Sequence, residues 1–184
     1  GAPYSLLIAA DEYFPLELYK LGKAADAGEI YAIGQLAIIA KKSLNLSSKA
    51  SRAEIAGAIT RANKVAIAKP ELAPYGRAAM QYLQSEGLWD LVKDKLIYAD
   101  NIGVATMYVA SGAADMGFTA LSLATSPAVM KSSSYALLNR SLYEPIKQRM
   151  VLMRGAPKEA VELFRFMQGP QARLILHQYG YITP

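Results

Sequence analysis

A chain of 184 residues is long enough to bury one sizeable core or to fold as two small lobes that share a cleft. With 53% hydrophobic and 19% charged residues, the composition is that of a packed protein and excludes a disordered one. The formal charge of +5 is scattered, Lys41-Lys42 being the nearest approach to a cluster, which argues against a nucleic-acid partner. With no cysteine, disulfides, thiolate metal sites and cysteine nucleophiles are all excluded. No run reaches the roughly 20 apolar residues that span a bilayer.

The chain opens with an apolar run of strand length, Tyr4 to Ala10, and the acidic pair Asp11-Glu12 then suits the positive start of a helix running to Leu21 and stopped by Gly22. Pro15 is tolerable there only in the first turn. Ile33 to Ala40 (IGQLAIIA) reads as one strand, followed by a polar loop from Lys41 to Lys49. Ser51 and Glu54 have the spacing of a capping box for the helix AEIAGAITRA.

Val65 to Ala68 reads as a buried strand, Pro70 to Pro74 as a loop, and Gly76 to Glu86 as an amphipathic helix closed by Gly87. Leu96 to Tyr98 is a short strand, Asn101 to Ser111 a helix closed by Gly112, and Ala114 to Thr119 a further strand, after which Leu121 to Ala124 starts another helix. Beyond the serines at 132–134, Tyr135 to Leu138 and Ile146 to Met153 have strand character. Pro157 to Gln168 and Pro170 to Tyr179 read as helices with proline at their first position. Strands that alternate with helices in this way predict an α/β fold with mostly parallel sheets.

One arrangement recurs: a short apolar strand ends in a small loop that opens directly into a helix, at VAIA-KPELAPYGRAA and at LIY-ADNIGVATMYV. The first N–H groups of such a helix lack internal partners and sit at the positive end of its dipole, so two tips that face each other form an uncharged anion cradle. Other chemistries find little support. His177 stands alone in a helical tail, without the partners that catalysis or metal binding needs. Asp11 and Glu12, adjacent on a helix, point apart and suit the helix dipole better than acid–base work. Ser122 and the serines at 132–134 have no GxSxG setting, no phosphate-loop pattern occurs, and Trp89 reads as an anchor for its helix. No enzyme is indicated, no residue is a direct cation ligand, and no cofactor is implied.

The segments APYGRAA (Ala73 to Ala79), GLWD (Gly87 to Asp90), DNI (Asp100 to Ile102), SGAADMGF (Ser111 to Phe118), YEPIKQ (Tyr143 to Gln148), GPQAR (Gly169 to Arg173) and YGYITP (Tyr179 to Pro184) stand in one order along the chain. In that order they resemble the soluble molybdate- and tungstate-binding proteins of ABC importers. GAPYSLLIAADE resembles the segment after that family's second helix, with Ser5 in place of its usual acidic residue. The resemblance therefore begins downstream of the family's first two strand–helix junctions, and the first lobe is expected to be incomplete.

It implies a two-lobed periplasmic-binding-protein clamshell of type II. Residues 1–32 and 147–184 would form the first lobe and 33–146 the second, with crossings near Tyr31 to Gln35 and Tyr143 to Gln148. It further implies a periplasmic or lipid-anchored monomer that captures a tetrahedral oxyanion through hydroxyls and backbone amides and hands it to a membrane permease. By position, Tyr75 and Ile102 would donate main-chain N–H groups. Ala120 falls where some relatives carry a tyrosine, whose hydroxyl is missing here. A receptor for sulfate or another oxyanion, and the ligand-sensing domain of a transcription regulator, remain alternatives on the same fold.

Overall fold

The computed structural model describes residues 3–184; residues 1 and 2, with which the expected first lobe opens, lie outside the described residues. In chain order the strands are β1 (Leu6–Ile8), β2 (Glu29–Gly34), β3 (Leu36–Lys41), β4 (Val65–Ala68), β5 (Leu96–Ala99), β6 (Met116–Ala120), β7 (Ser133–Leu137) and β8 (Ile146–Leu152). The α-helices are α1 (Tyr13–Lys20), α2 (Arg52–Arg61), α3 (Pro74–Ser85), α4 (Trp89–Val92), α5 (Ile102–Ala110), α6 (Leu121–Ala124), α7 (Pro127–Ser132), α8 (Lys158–Gln168) and α9 (Pro170–Gln178). The chain divides into two compact units: residues up to Gly34 together with Ile146–Pro184, and Gln35–Pro145.

The larger unit is built on a five-stranded sheet of order β5-β4-β6-β3-β7. β4 runs parallel to β5 and to β6, while β3 is antiparallel to both β6 and β7. Four strands therefore point one way and β3 the other. On one face Ala37, Ile39, Ala66 and Ala99 pack with Ala105 and Val109 of α5, Ala124 of α6 and Val129 of α7. The small side chains let α5 lie close. An added Cβ at Gly117 would come within 2.8 Å of the Ala66 carbonyl oxygen and 3.0 Å of Val109 Cγ2. Side chains alternate along a strand, so Phe118 points to the other face, where its ring meets Tyr82 of α3 at 6.2 Å between centroids.

The opposite placement of α3 and α5 follows from handedness. The β4–α3–β5 connection moves one way along the sheet and β5–α5–β6 moves back past β4, so right-handed crossovers must lie on opposite faces.

The smaller unit holds a three-stranded sheet, β1-β8-β2, antiparallel throughout. The parallel pattern thus belongs to the larger unit alone. In the smaller one Arg149 is a hub: its guanidinium donates to Glu12 Oε1 from Nη2 at 2.7 Å and from Nε at 3.1 Å, and its Nη1 donates to the carbonyls of Ala27 and Gly28. Glu12 therefore precedes α1 as the partner of Arg149 and, at 3.7 Å, of Lys147, rather than serving the helix dipole. Tyr31 donates its hydroxyl to Gln148 Oε1 at 2.7 Å, and burial pushes its pKa up to about 12.

Several boundaries differ from the sequence expectation. The run from Ile33 to Ala40 is two strands, β2 ending at Gly34 and β3 starting at Leu36, and they belong to different sheets. A nearly continuous apolar pattern conceals the break at Gln35: β2 is buried at Ala32 and Gly34, just before it, and β3 along nearly its whole length after it. α3 starts at Pro74, whose fixed φ and missing N–H suit the first helical position, and not at Gly76. The short helices α4 and α7 are additions to the elements that the sequence pattern predicts.

Candidate oxyanion site

Tyr75, Ile102 and Ala120 follow or end three strands that lie side by side, β4, β5 and β6, at their carboxyl edge. Because α3 leaves β4 on one face and α5 returns on the other, the strand order reverses between β4 and β6. This is the topological switch point, where open α/β sheets leave a crevice outside the strand ends. Tyr75 and Ala120 flank that point, and Ile102 stands one strand further out.

The α3 tip is held against the sheet by a missing side chain. A Cβ at Gly76 would lie 2.2 Å from the Ala68 carbonyl oxygen and 2.8 Å from its carbon, so only glycine lets the first turn seat on the end of β4. Pro74 opens the helix without an N–H, which makes Tyr75 the first residue of α3 with a main-chain donor. The next two donors, Gly76 and Arg77, both bond the Ala73 carbonyl. The Tyr75 side chain is buried and belongs to the core.

The α5 tip is organised differently. Asn101, which the sequence pattern counts as the first residue of the helix, instead caps it by accepting from the Val104 N–H at 3.0 Å. Ile102 and Gly103 supply the two preceding N–H groups, and neither finds an acceptor among the described residues. Gly103 is a donor that the sequence reading misses; its signal is only its place after the cap and the DNI turn. The loops ahead of α3 and α5 are stitched together: Lys69 N–H donates to the Ala99 carbonyl, and its ammonium meets Asp100 Oδ1 at 2.7 Å. Hydrogen bonding to Asp100 raises the Lys69 pKa, so the cation beside the tips stays charged and is matched by its own carboxylate.

Ala120 ends β6 opposite Leu36 and precedes α6, with a methyl group and no hydroxyl to offer. What the sheet edge assembles is a set of peptide donors beside a Lys69 ammonium already paired with Asp100, an arrangement suited to binding an anion. His177 lies elsewhere, its Nε2 within 3.0 Å of Thr183 Oγ1. Among the described residues, no three His, Cys, Asp or Glu side chains are grouped to hold a metal ion, and no helix is long and apolar enough to cross a membrane.

Comparison with known proteins adds an independent line. A family described as bacterial extracellular solute-binding protein matches residues 1–182. The molybdate-binding protein ModA of Azotobacter vinelandii is 34% identical over 187 aligned residues, covering 98% of this chain and 71% of its own. ModA of Rhodobacter capsulatus is 32% identical, with 100% and 71% covered. The solved periplasmic molybdate-binding protein of Azotobacter vinelandii superposes with a TM-score of 0.85 at 32% identity, covering 100% of this chain and 80% of that one.

Proposed function

The chain belongs to the bacterial extracellular solute-binding proteins, and on that premise we propose that it is the binding subunit of an ABC importer whose cargo is molybdate or tungstate. The supporting observation is the meeting of Tyr75, Ile102 and Ala120 at one sheet edge beside the switch point. The amides of Tyr75 and Ile102 grip the oxyanion, the methyl of Ala120 limits its size, and the two compact units act as the lobes that present the loaded ligand to a permease outside the cytoplasm. The chain works by binding and carries out no chemical step.

Magnitudes set what these donors achieve by themselves. A micromolar complex requires roughly 8 kcal/mol, whereas each hydrogen bond to a charged group contributes about 1.5–3 kcal/mol. Two amides therefore supply about 3–6 kcal/mol, a hold between several millimolar and tens of micromolar. The test is backbone amide shift mapping of the chain titrated with molybdate, tungstate and sulfate at millimolar levels and constant ionic strength. Shifts are expected at Tyr75 and Ile102, larger for molybdate and tungstate than for sulfate. Equal shifts with chloride, or shifts spread over surface lysines, would overturn the assignment. A preference for sulfate would keep the site and change the cargo.

A further inference from the structure

A pair of buried hydroxyls lies directly beneath the α5 tip. Thr106 Oγ1 is 2.7 Å from the Ile102 carbonyl oxygen and 2.5 Å from Thr119 Oγ1. Thr119 is fully buried and Thr106 is 5% exposed. A carbonyl cannot donate, so Thr106 spends its one proton on Ile102, and the proton between the two hydroxyls must come from Thr119. The direction is therefore fixed: Thr119 to Thr106 to the Ile102 carbonyl.

That carbonyl belongs to the same peptide group as the Gly103 N–H. Donation to the oxygen draws electron density through the peptide and makes its N–H a stronger donor, and hydrogen bonds in such a chain reinforce one another where water is excluded. The relay also ties the first turn of α5 to β6 at the residue before Ala120. Beside Gly103, a Cβ would meet the capping Asn101 Oδ1 at 3.2 Å, a tight contact, and apart from its chain neighbours and the backbone of α5 no other atom within 4 Å.

We propose that the Gly103 N–H is a further oxyanion donor, and that Thr119 and Thr106 are positioning residues that aim and polarise it. The proposal rests on the oxyanion-binding reading above. Neither threonine touches the ligand.

The test compares Thr119→Val, which keeps the shape and removes the proton, with Thr119→Ser, which restores it. In ligand-free Thr119→Val the Gly103 amide proton moves upfield, and molybdate affinity falls about 2- to 10-fold, the worth of one neutral hydrogen bond. Thr119→Ser recovers both quantities, which a purely packing role would not require of a smaller side chain. If Thr119→Val fails to fold, Thr106→Ala, which interrupts the same relay at its second member, is read in the same two ways. Folded variants with the parent affinity and an unmoved Gly103 proton overturn the proposal. A parent chain that responds to molybdate at Ile102 but not at Gly103 overturns it while sparing the oxyanion reading. A parent with no response at either overturns both.

Discussion

Replacing Gly76 with alanine tests how the α3 tip is placed. The new methyl would stand 2.2 Å from the Ala68 carbonyl oxygen and 2.8 Å from its carbon, distances that real Cβ atoms do not adopt. All the opposing atoms are backbone, so no side chain can swing away, and the first turn of α3 must lift from the end of β4. Overpacking of this kind costs about 1–3 kcal/mol. For a chain of this size that lowers the midpoint of thermal unfolding by roughly 2–12 °C. The matched control is Gly57→Ala in α2, where the nearest atom is the flexible Arg61 Nη1 at 3.4 Å. There the substitution should stabilise by about 0.5–1 kcal/mol, because alanine loses less freedom in a helix. Thermal unfolding by circular dichroism measures both, and amide shifts report whether Tyr75 has moved. If Gly76→Ala melts with the parent, or if both alanines act alike, the close seating of α3 on β4 is wrong.

Other expectations follow from single contacts. Ser51→Ala removes the capping box formed with Glu54 and should cost about 1 kcal/mol by urea unfolding. Tyr143→Phe strips the buried Leu36 N–H of its acceptor, now at 3.0 Å, and should cost about 1–3 kcal/mol, whereas a change below the error of the measurement would show that water replaces the hydroxyl. Asp115 is held below its ordinary value of 3.8, first by its hydrogen bond to Lys41 and then by the N–H groups of Asn63 and Lys64. Its stabilisation is complete above that ordinary value and disappears as pH falls through the lower folded one, so Asp115→Asn should flatten the acid limb of a stability–pH curve and leave the neutral region's slope alone. Glu12→Gln should weaken the hold on Arg149 and loosen the Ala27–Gly28 turn, seen as faster amide exchange there.

Local signals are the legible ones. Ser51 with Glu54 announces the start of α2, and the capping box forms as that spacing requires. The short apolar strands before α3 and α5 are legible for the same reason, which is why two of the three candidate residues can be assigned to helix starts. Contacts between distant residues leave no such trace. Arg149 and Glu12 lie 137 residues apart, and nothing in either neighbourhood signals the other. Thr119 and Thr106 look like ordinary strand and helix residues until β6 is laid beside α5. The break at Gln35 is hidden for a different reason: hydropathy registers apolar side chains, and these stand on both sides of Gln35 while the chain passes from one sheet to another.

The donors at the α5 tip are peptide nitrogens, and peptide nitrogens do not titrate near neutrality. A receptor whose grip is made of such groups has no ionisation of its own to lose, so its hold should stay level between mildly acidic and mildly alkaline surroundings. On the oxyanion reading proposed above, any pH response would then belong to the ligand, through its own protonation.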